Sequence, residues 1–144
     1  MSDYKVTDQL SLLFTALHDG TITAVSEQVS GTIILVVDIE YLRERFTDHG
    51  EEIRIILEDC TLFEFLLYMN DIRIRDLAEV ARREYGIINA INTDGVCHVH
   101  CDDGTLLLAC GGYSIELDSG RILSLDELVG EANAYWDAFG SRIR

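Results

Sequence analysis

The sequence contains no proline, one lysine (Lys5) and one tryptophan (Trp136). Without proline, its turns must come from Gly, Asn and Asp. With lysine nearly absent, positive charge rests on ten arginines, whose planar guanidinium pairs with carboxylates in bidentate fashion. Basic residues are scarce altogether. Eleven Lys and Arg stand against 26 Asp and Glu, for a net charge of −15 and a pI near 4.4. That balance argues against general DNA or RNA binding, since phosphate contacts need clustered Lys and Arg. It argues equally against docking on an anionic membrane leaflet. Long apolar runs are missing as well. Ile33 to Val37 and Leu106 to Cys110 stop at five residues, against the roughly 20 that a spanning helix needs. The opening Met-Ser-Asp-Tyr-Lys-Val-Thr-Asp has no basic patch leading into an apolar run, so no secretory leader is expected. A soluble, cytoplasmic protein is the expectation.

Cysteines are few and unevenly spaced: Cys60, Cys97, Cys101 and Cys110. They are expected to be buried thiols in a reducing compartment rather than a disulfide framework.

What is present is globular. Apolar residues make up 48% and charged residues 26% of 144, the proportions of an ordinary folded domain. One domain over 1–144 is expected, burying roughly two-thirds of its unfolded surface.

Leu10, Leu13, Phe14 and Leu17 recur at helical spacing and predict a helix over Asp8 to His18. Residues 21–29 and 32–39 read as a hairpin turning at Ser30-Gly31. Glu40 to Phe46 reads as one or two helical turns. Glu52 to Glu58 alternates as a half-buried strand, with Thr61 to Met69 as its partner and a helix as the alternative for that second run. Asp76 to Tyr85 reads as a helix carrying Glu79 and Arg83 at i+4. Four strands follow at 87–93, 96–102, 105–110 and 113–117, with turns at Asp94-Gly95, Asp103-Gly104 and Gly111-Gly112. Ser124-Leu-Asp-Glu127 is a capping box opening a final helix to about Phe139. Runs of strands joined by tight turns predict α+β: an antiparallel, meandering sheet arrangement of about eight strands, with N-terminal, central and C-terminal helices.

Five ligand-type side chains crowd Cys97-His98-Val99-His100-Cys101-Asp102. Strand geometry divides them, because successive side chains point to opposite faces. Cys97 and Cys101 go with Val99 to one face. His98, His100 and Asp102 go to the other and are the candidate ligands for a metal or small molecule, with a fourth group supplied from elsewhere. The plainer reading is two solvent-facing histidines beside a hairpin. Zinc-finger CxxC spacing is absent. Cys60 sits in acidic surroundings that disfavour a thiolate nucleophile. There is no G-x-S-x-G, no phosphate-binding glycine loop and no dinucleotide fingerprint. Neither catalysis nor a cofactor is expected.

Charge distribution is more informative. Residues 38–64 hold nine acids and three bases. Tyr41 and Phe46 lie among them. Aromatic anchors ringed by like charge suit a basic protein partner, with charge steering and aromatics holding. The residues expected to contact it are Tyr41, Glu44, Phe46, Asp48, Glu51 and Glu52. The plainer reading is a solvated surface that keeps the chain soluble. The one basic cluster, Arg73, Arg75, Arg82 and Arg83, is offset by Asp71, Asp76, Glu79 and Glu84.

Leu17-His18-Asp19-Gly20 running into the Ile22 to Val37 hairpin, and Trp136 in the helix opened by Ser124-Leu-Asp-Glu127, are similar to small acidic bacterial proteins, some of immunity type that neutralise toxins. The resemblance covers roughly the first 40 and last 20 residues and implies a non-catalytic binding role. A protein-interaction module is therefore the first expectation, and a metal- or ligand-binding domain the second. A homodimer is compatible with either, given a mean hydropathy of +0.13 in so acidic a chain.

Overall fold

The alternating runs become strands, and their register joins them into two antiparallel sheets. The computed structural model describes residues 2–69 and 72–143. Its helices are α1 (Ser2–Ala16), α2 (Glu40–Arg43), α3 (Leu77–Arg82) and α4 (Leu125–Ile143). Its strands are β1 (Thr21–Val29), β2 (Thr32–Asp38), β3 (Glu52–Glu58), β4 (Leu62–Leu67), β5 (Arg73–Ile74), β6 (Ile87–Thr93), β7 (Val96–Cys101), β8 (Gly104–Ala109), β9 (Gly112–Leu117) and β10 (Ile122–Leu123). The first sheet runs β1-β2-β3-β9-β10 and the second β5-β4-β8-β7-β6. This is a single α+β domain. Beyond the eight expected strands, β5 and β10 have two residues each, too short to leave an alternation in the sequence.

The topology has one organising feature. β3 and β4 follow each other along one bent arm, and β8 and β9 along another. The arms pair in both sheets, β3 with β9 and β4 with β8. The bend in the first arm falls at Asp59, whose φ of 52° lies in the left-handed region. The opposite bend falls at Cys110 and Gly111. A bridge between Thr21 and Gly86 ties the β1 edge of one sheet to the approach to β6 in the other.

One core runs through both sheets. Leu10, Leu13, Phe14 and Leu17 of the N-terminal segment meet Ile22, Leu35 and Ile55 from the first sheet and Phe65, Val99 and Leu106 from the second, all fully buried. Phe65 stacks on Tyr85, ring centroids 3.6 Å apart. α1 lies along β6 and β7, α3 against β1 and α4 against α1. Asp94 and Gly95 both have positive φ, the type I′ geometry that matches strand twist in a two-residue hairpin. The capping box forms as read: Glu127 N–H donates to Ser124 Oγ at 3.1 Å, and Ser124 N–H to Glu127 Oε1 at 3.0 Å.

Two expectations need correction. α1 starts at Ser2, not Asp8, and the Thr7 hydroxyl donates to the Gly95 carbonyl from a buried position. The run from Thr61 is a strand but not the partner of β3: β4 lies in the second sheet, between β5 and β8. Glu64 is 3% exposed, clamped by Arg75 at 2.8 Å and by Arg73. Those two arginines thus find their partner on the adjacent strand β4. Arg82 and Arg83 do pair with Glu79, and Asp71 lies outside the described residues.

Candidate functional site

The acidic segment becomes the end of β2, the short α2 and the loop to β3. Ile39 and Leu42 anchor it in the core. With those facing inward, Asp38, Glu40 and Glu44 face out. The segment is held by a cation from beneath. Arg43 is 1% exposed. Its Nε donates to Asp118 Oδ1 at 3.0 Å and its Nη1 to the Asp48 carbonyl at 2.8 Å. Asp118 Oδ2 in turn accepts the N–H groups of Glu51 at 2.7 Å and Glu52 at 3.1 Å. Burial would raise the Asp118 carboxyl pKa, but those N–H groups and Arg43 outweigh it and hold it below the usual carboxylate range. Gly50 passes so close that a Cβ would strike both the Asp118 carboxylate and the Arg43 guanidinium.

Above this pin lies an open concavity of about 390 Å³, lined by Asp38, Glu40, Arg43, Glu44, His49, Gly50 and Glu51. A second, of about 440 Å³, shares Asp38, Glu40 and Glu44 and adds Asp19, Thr21, Ile39 and Tyr41. Five carboxylates thus line one continuous acidic trough. Among the described residues none of the five has an arginine or lysine partner, and Asp19 has only His18, at 3.4 Å.

The six expected contact residues separate here. Glu44 and Glu51 are exposed on the trough, and Glu52 is half-buried beside it. Asp48 is tied to Arg121 at 3.0 Å and Ser119 at 3.1 Å, and the Arg121 guanidinium holds its carboxyl below the usual range. Phe46 is 9% exposed, beneath the Arg121 guanidinium, whose carbon lies 5.8 Å from the ring centre. It is a core residue rather than a surface anchor. Tyr41 lines the trough, but its hydroxyl donates to the His18 carbonyl, and burial pushes its pKa up to about 12.

Tyr41 is also the edge of an aromatic array that the segment alone does not reveal. Its ring lies 4.3 Å from Tyr135 and 5.4 Å from Trp136, and Phe139 follows 5.6 Å from Trp136. Phe139 is 40% exposed. Between α1 and α4, Leu12, Thr15, His18, Val129 and Trp136 line an apolar groove of about 400 Å³. Helical spacing alone would place these α4 aromatics on one buried face of the helix. Leu128 and Ala132 are buried, but Tyr135 and Trp136 are only partly covered and Phe139 is exposed. Asp38 and Glu40 belong to the acidic segment but not to the six expected contacts, and Asp19 lies outside both. Asp38 is legible as the polar end of an alternating strand, whereas Asp19 arrives through the α1–β1 turn, with φ of 71°, and nothing local signals it.

The three candidate ligands at β7 do not converge. His98 and His100 do share a face of β7, opposite the buried Cys97, Val99 and Cys101. Asp102 turns away to accept the Gly86 N–H at 3.3 Å, and His100 Nδ1 lies 3.3 Å from the Thr105 hydroxyl. Among the described residues, no three His, Cys, Asp or Glu side chains are grouped as an ion would need. Burial and the neighbouring His100 lower the His98 pKa. Among the described residues no helix is long and apolar enough to cross a membrane.

Compared with known protein families, curated proteins and solved structures, the chain matches no family, no curated protein and no solved structure.

Proposed function

We propose that this protein is a non-catalytic interaction module, of immunity type, that acts in the cytoplasm by binding a basic protein surface in its acidic trough. The observation that carries the reading is the set of unpaired carboxylates at Asp38, Glu40, Glu44 and Glu51 around one concavity. Some acids elsewhere meet arginines, as Glu64, Asp118 and Glu127 do. Leaving four carboxylates together without counter-charge costs stability through self-repulsion, and an incoming cationic surface relieves it. Fixed like charge also steers encounter with such a partner. The half-covered Tyr41, Tyr135 and Trp136 at the rim supply the amphipathic contact area that short-range binding uses.

The test is affinity capture from source lysate with two baits, the native chain and Asp38→Asn/Glu40→Gln/Glu44→Gln/Glu51→Gln. A basic protein held by the native bait at low salt, lost at high salt and absent from the variant supports the reading. Equal retention by both baits, or no protein retained, overturns it.

A further inference from the structure

The two bent arms switch sheets at a corner, and two of the four cysteines meet there. The first-sheet ladder ends at Glu58 opposite Gly112, and the second begins at Leu62 opposite Ala109. Between them the chains stay close: Gly111 N–H donates to the Glu58 carbonyl and Thr61 N–H to the Ala109 carbonyl, both at 2.9 Å. The Cys60 N–H turns away to the Gly31 carbonyl, also at 2.9 Å. The Cys60 and Cys110 sulfurs, with both residues as free thiols, lie 2.8 Å apart. That separation is well inside ordinary contact between two sulfurs, and a disulfide closes it with a small side-chain rotation.

The two thiols are unequal in access and in chemistry. Cys60 is half-buried and Cys110 is 5% exposed. Contrary to the expectation from its acidic surroundings, the Cys60 thiolate is favoured: a hydrogen bond from the Cys110 thiol lowers its pKa and outweighs burial and the nearby Glu27 and Asp59. The same contact, with burial, pushes the Cys110 thiol up. Cys97 and Cys101 face the core, where burial raises their thiols to about 11 and about 12, so they are inert by comparison.

We propose that Cys60 and Cys110 are a reversible oxidation site, closed to a disulfide by exchange with a low-molecular-weight disulfide. The Cys60 thiolate attacks one sulfur of the reagent, whose S–S bond breaks, and a thiolate leaves. The Cys110 thiol then gives up its proton and attacks Cys60 Sγ, expelling the second reagent thiolate. The protein dithiol is oxidised by two electrons, and one reagent disulfide is reduced to two thiols. The bond has a definite consequence. β4 to β8, every strand of the second sheet, lie between residues 60 and 110. Oxidation encloses that sheet in one covalent loop and restricts its unfolded state.

The test treats the full native chain with oxidised glutathione, then titrates thiols, maps linked peptides and records melting. Two of the four thiols should be lost, with a Cys60–Cys110 linked peptide. Tm should rise by about 5–10 °C and fall back on adding dithiothreitol. Cys110→Ser should stop at a single glutathione on Cys60. Four thiols still titrating, a stable glutathione adduct on the native chain, or a peptide linking any other pair overturns the proposal. The native-chain map decides even where a variant fails to fold.

Discussion

Arg43 and Asp118 stand 75 positions apart in sequence and form an ion pair beneath the acidic trough, with Nη2 to Oδ1 at 2.9 Å. This pair lets so acidic a segment hold one shape. Arg43 reaches the Asp48 carbonyl on one side, and Asp118 receives the Glu51 and Glu52 N–H groups on the other. The segment's Arg43 is thus used internally, and the trough carboxylates above it have no arginine partner among the described residues.

Replacing Arg43 by Met should therefore be costly. It leaves Asp118 without its cation and the Asp48 carbonyl without its donor. Removing one member of a buried pair typically costs about 3–5 kcal/mol. Because Asp118 retains some solvent contact, the lower end, about 3 kcal/mol, is expected in urea unfolding. Lys at position 43 should restore only part of this, since it lacks the fork that spans Asp118 and Asp48. A midpoint unchanged in Arg43→Met would show that the pair does not hold the loop.

Acid should unfold the protein partly through Glu64 and Asp118. Burial alone would raise the Glu64 carboxyl, but Arg75 and Arg73 outweigh it, and the folded pKa lies below the usual range. Asp118 is lowered as well. A carboxyl that binds its proton less readily when folded contributes stability above its unfolded pKa, about 4. That stability is lost as pH falls through the lower folded value. Unfolding free energy measured from pH 7 downward should thus be flat at first and fall below about pH 4. Glu64→Gln should be less stable at neutral pH and show a shallower acid slope. An identical slope would remove Glu64 from the account.

The sequence showed what is periodic or local and hid what depends on distant partners. The helical spacing of Leu10 to Leu17, the alternation of β3 and β7 and the Ser124–Glu127 box are each determined within a few residues, and each forms. The turn at Asp94-Gly95 was legible for the same reason. The roles of Arg43 and Glu64 were not, because a charged side chain reads as solvated until its partner from another element is known, and Phe46 reads as a surface anchor until Arg121 is seen to cover it. Arg73 and Arg75 bury Glu64 only after β5 pairs with β4. Cys60 and Cys110 likewise meet only where two arms change sheets.

Phe46 separates packing from binding. Its ring is buried under the Arg121 guanidinium, so Phe46→Ala should cost about 3 kcal/mol in stability, or roughly 10 °C in Tm. At a temperature where the variant is folded, its association rate with a basic partner should match the native chain. A selective loss of binding with unchanged Tm would instead place the ring at the interface.

The trough itself should act through encounter rather than residence. Asp38, Glu40 and Glu44 line both concavities and are exposed, so they contribute long-range field. Neutralising the three together should slow association with the basic partner by about tenfold or more at low ionic strength. It should leave the dissociation rate within about twofold, because rim charges act mainly on encounter. The difference should shrink towards physiological salt, where the screening length is about 8 Å. Asp48→Asn is the informative contrast. Asp48 lies outside both concavities and is paired with Arg121, which keeps Glu127 as a partner when Asp48 is removed. Its kinetic effect should be smaller than that of an equal change at Glu44, and its effect on Tm larger. Stopped-flow association rates for the two single variants over a salt series give the comparison directly. If Asp48→Asn slows association as much as Glu44→Gln, the steering field does not originate in the trough.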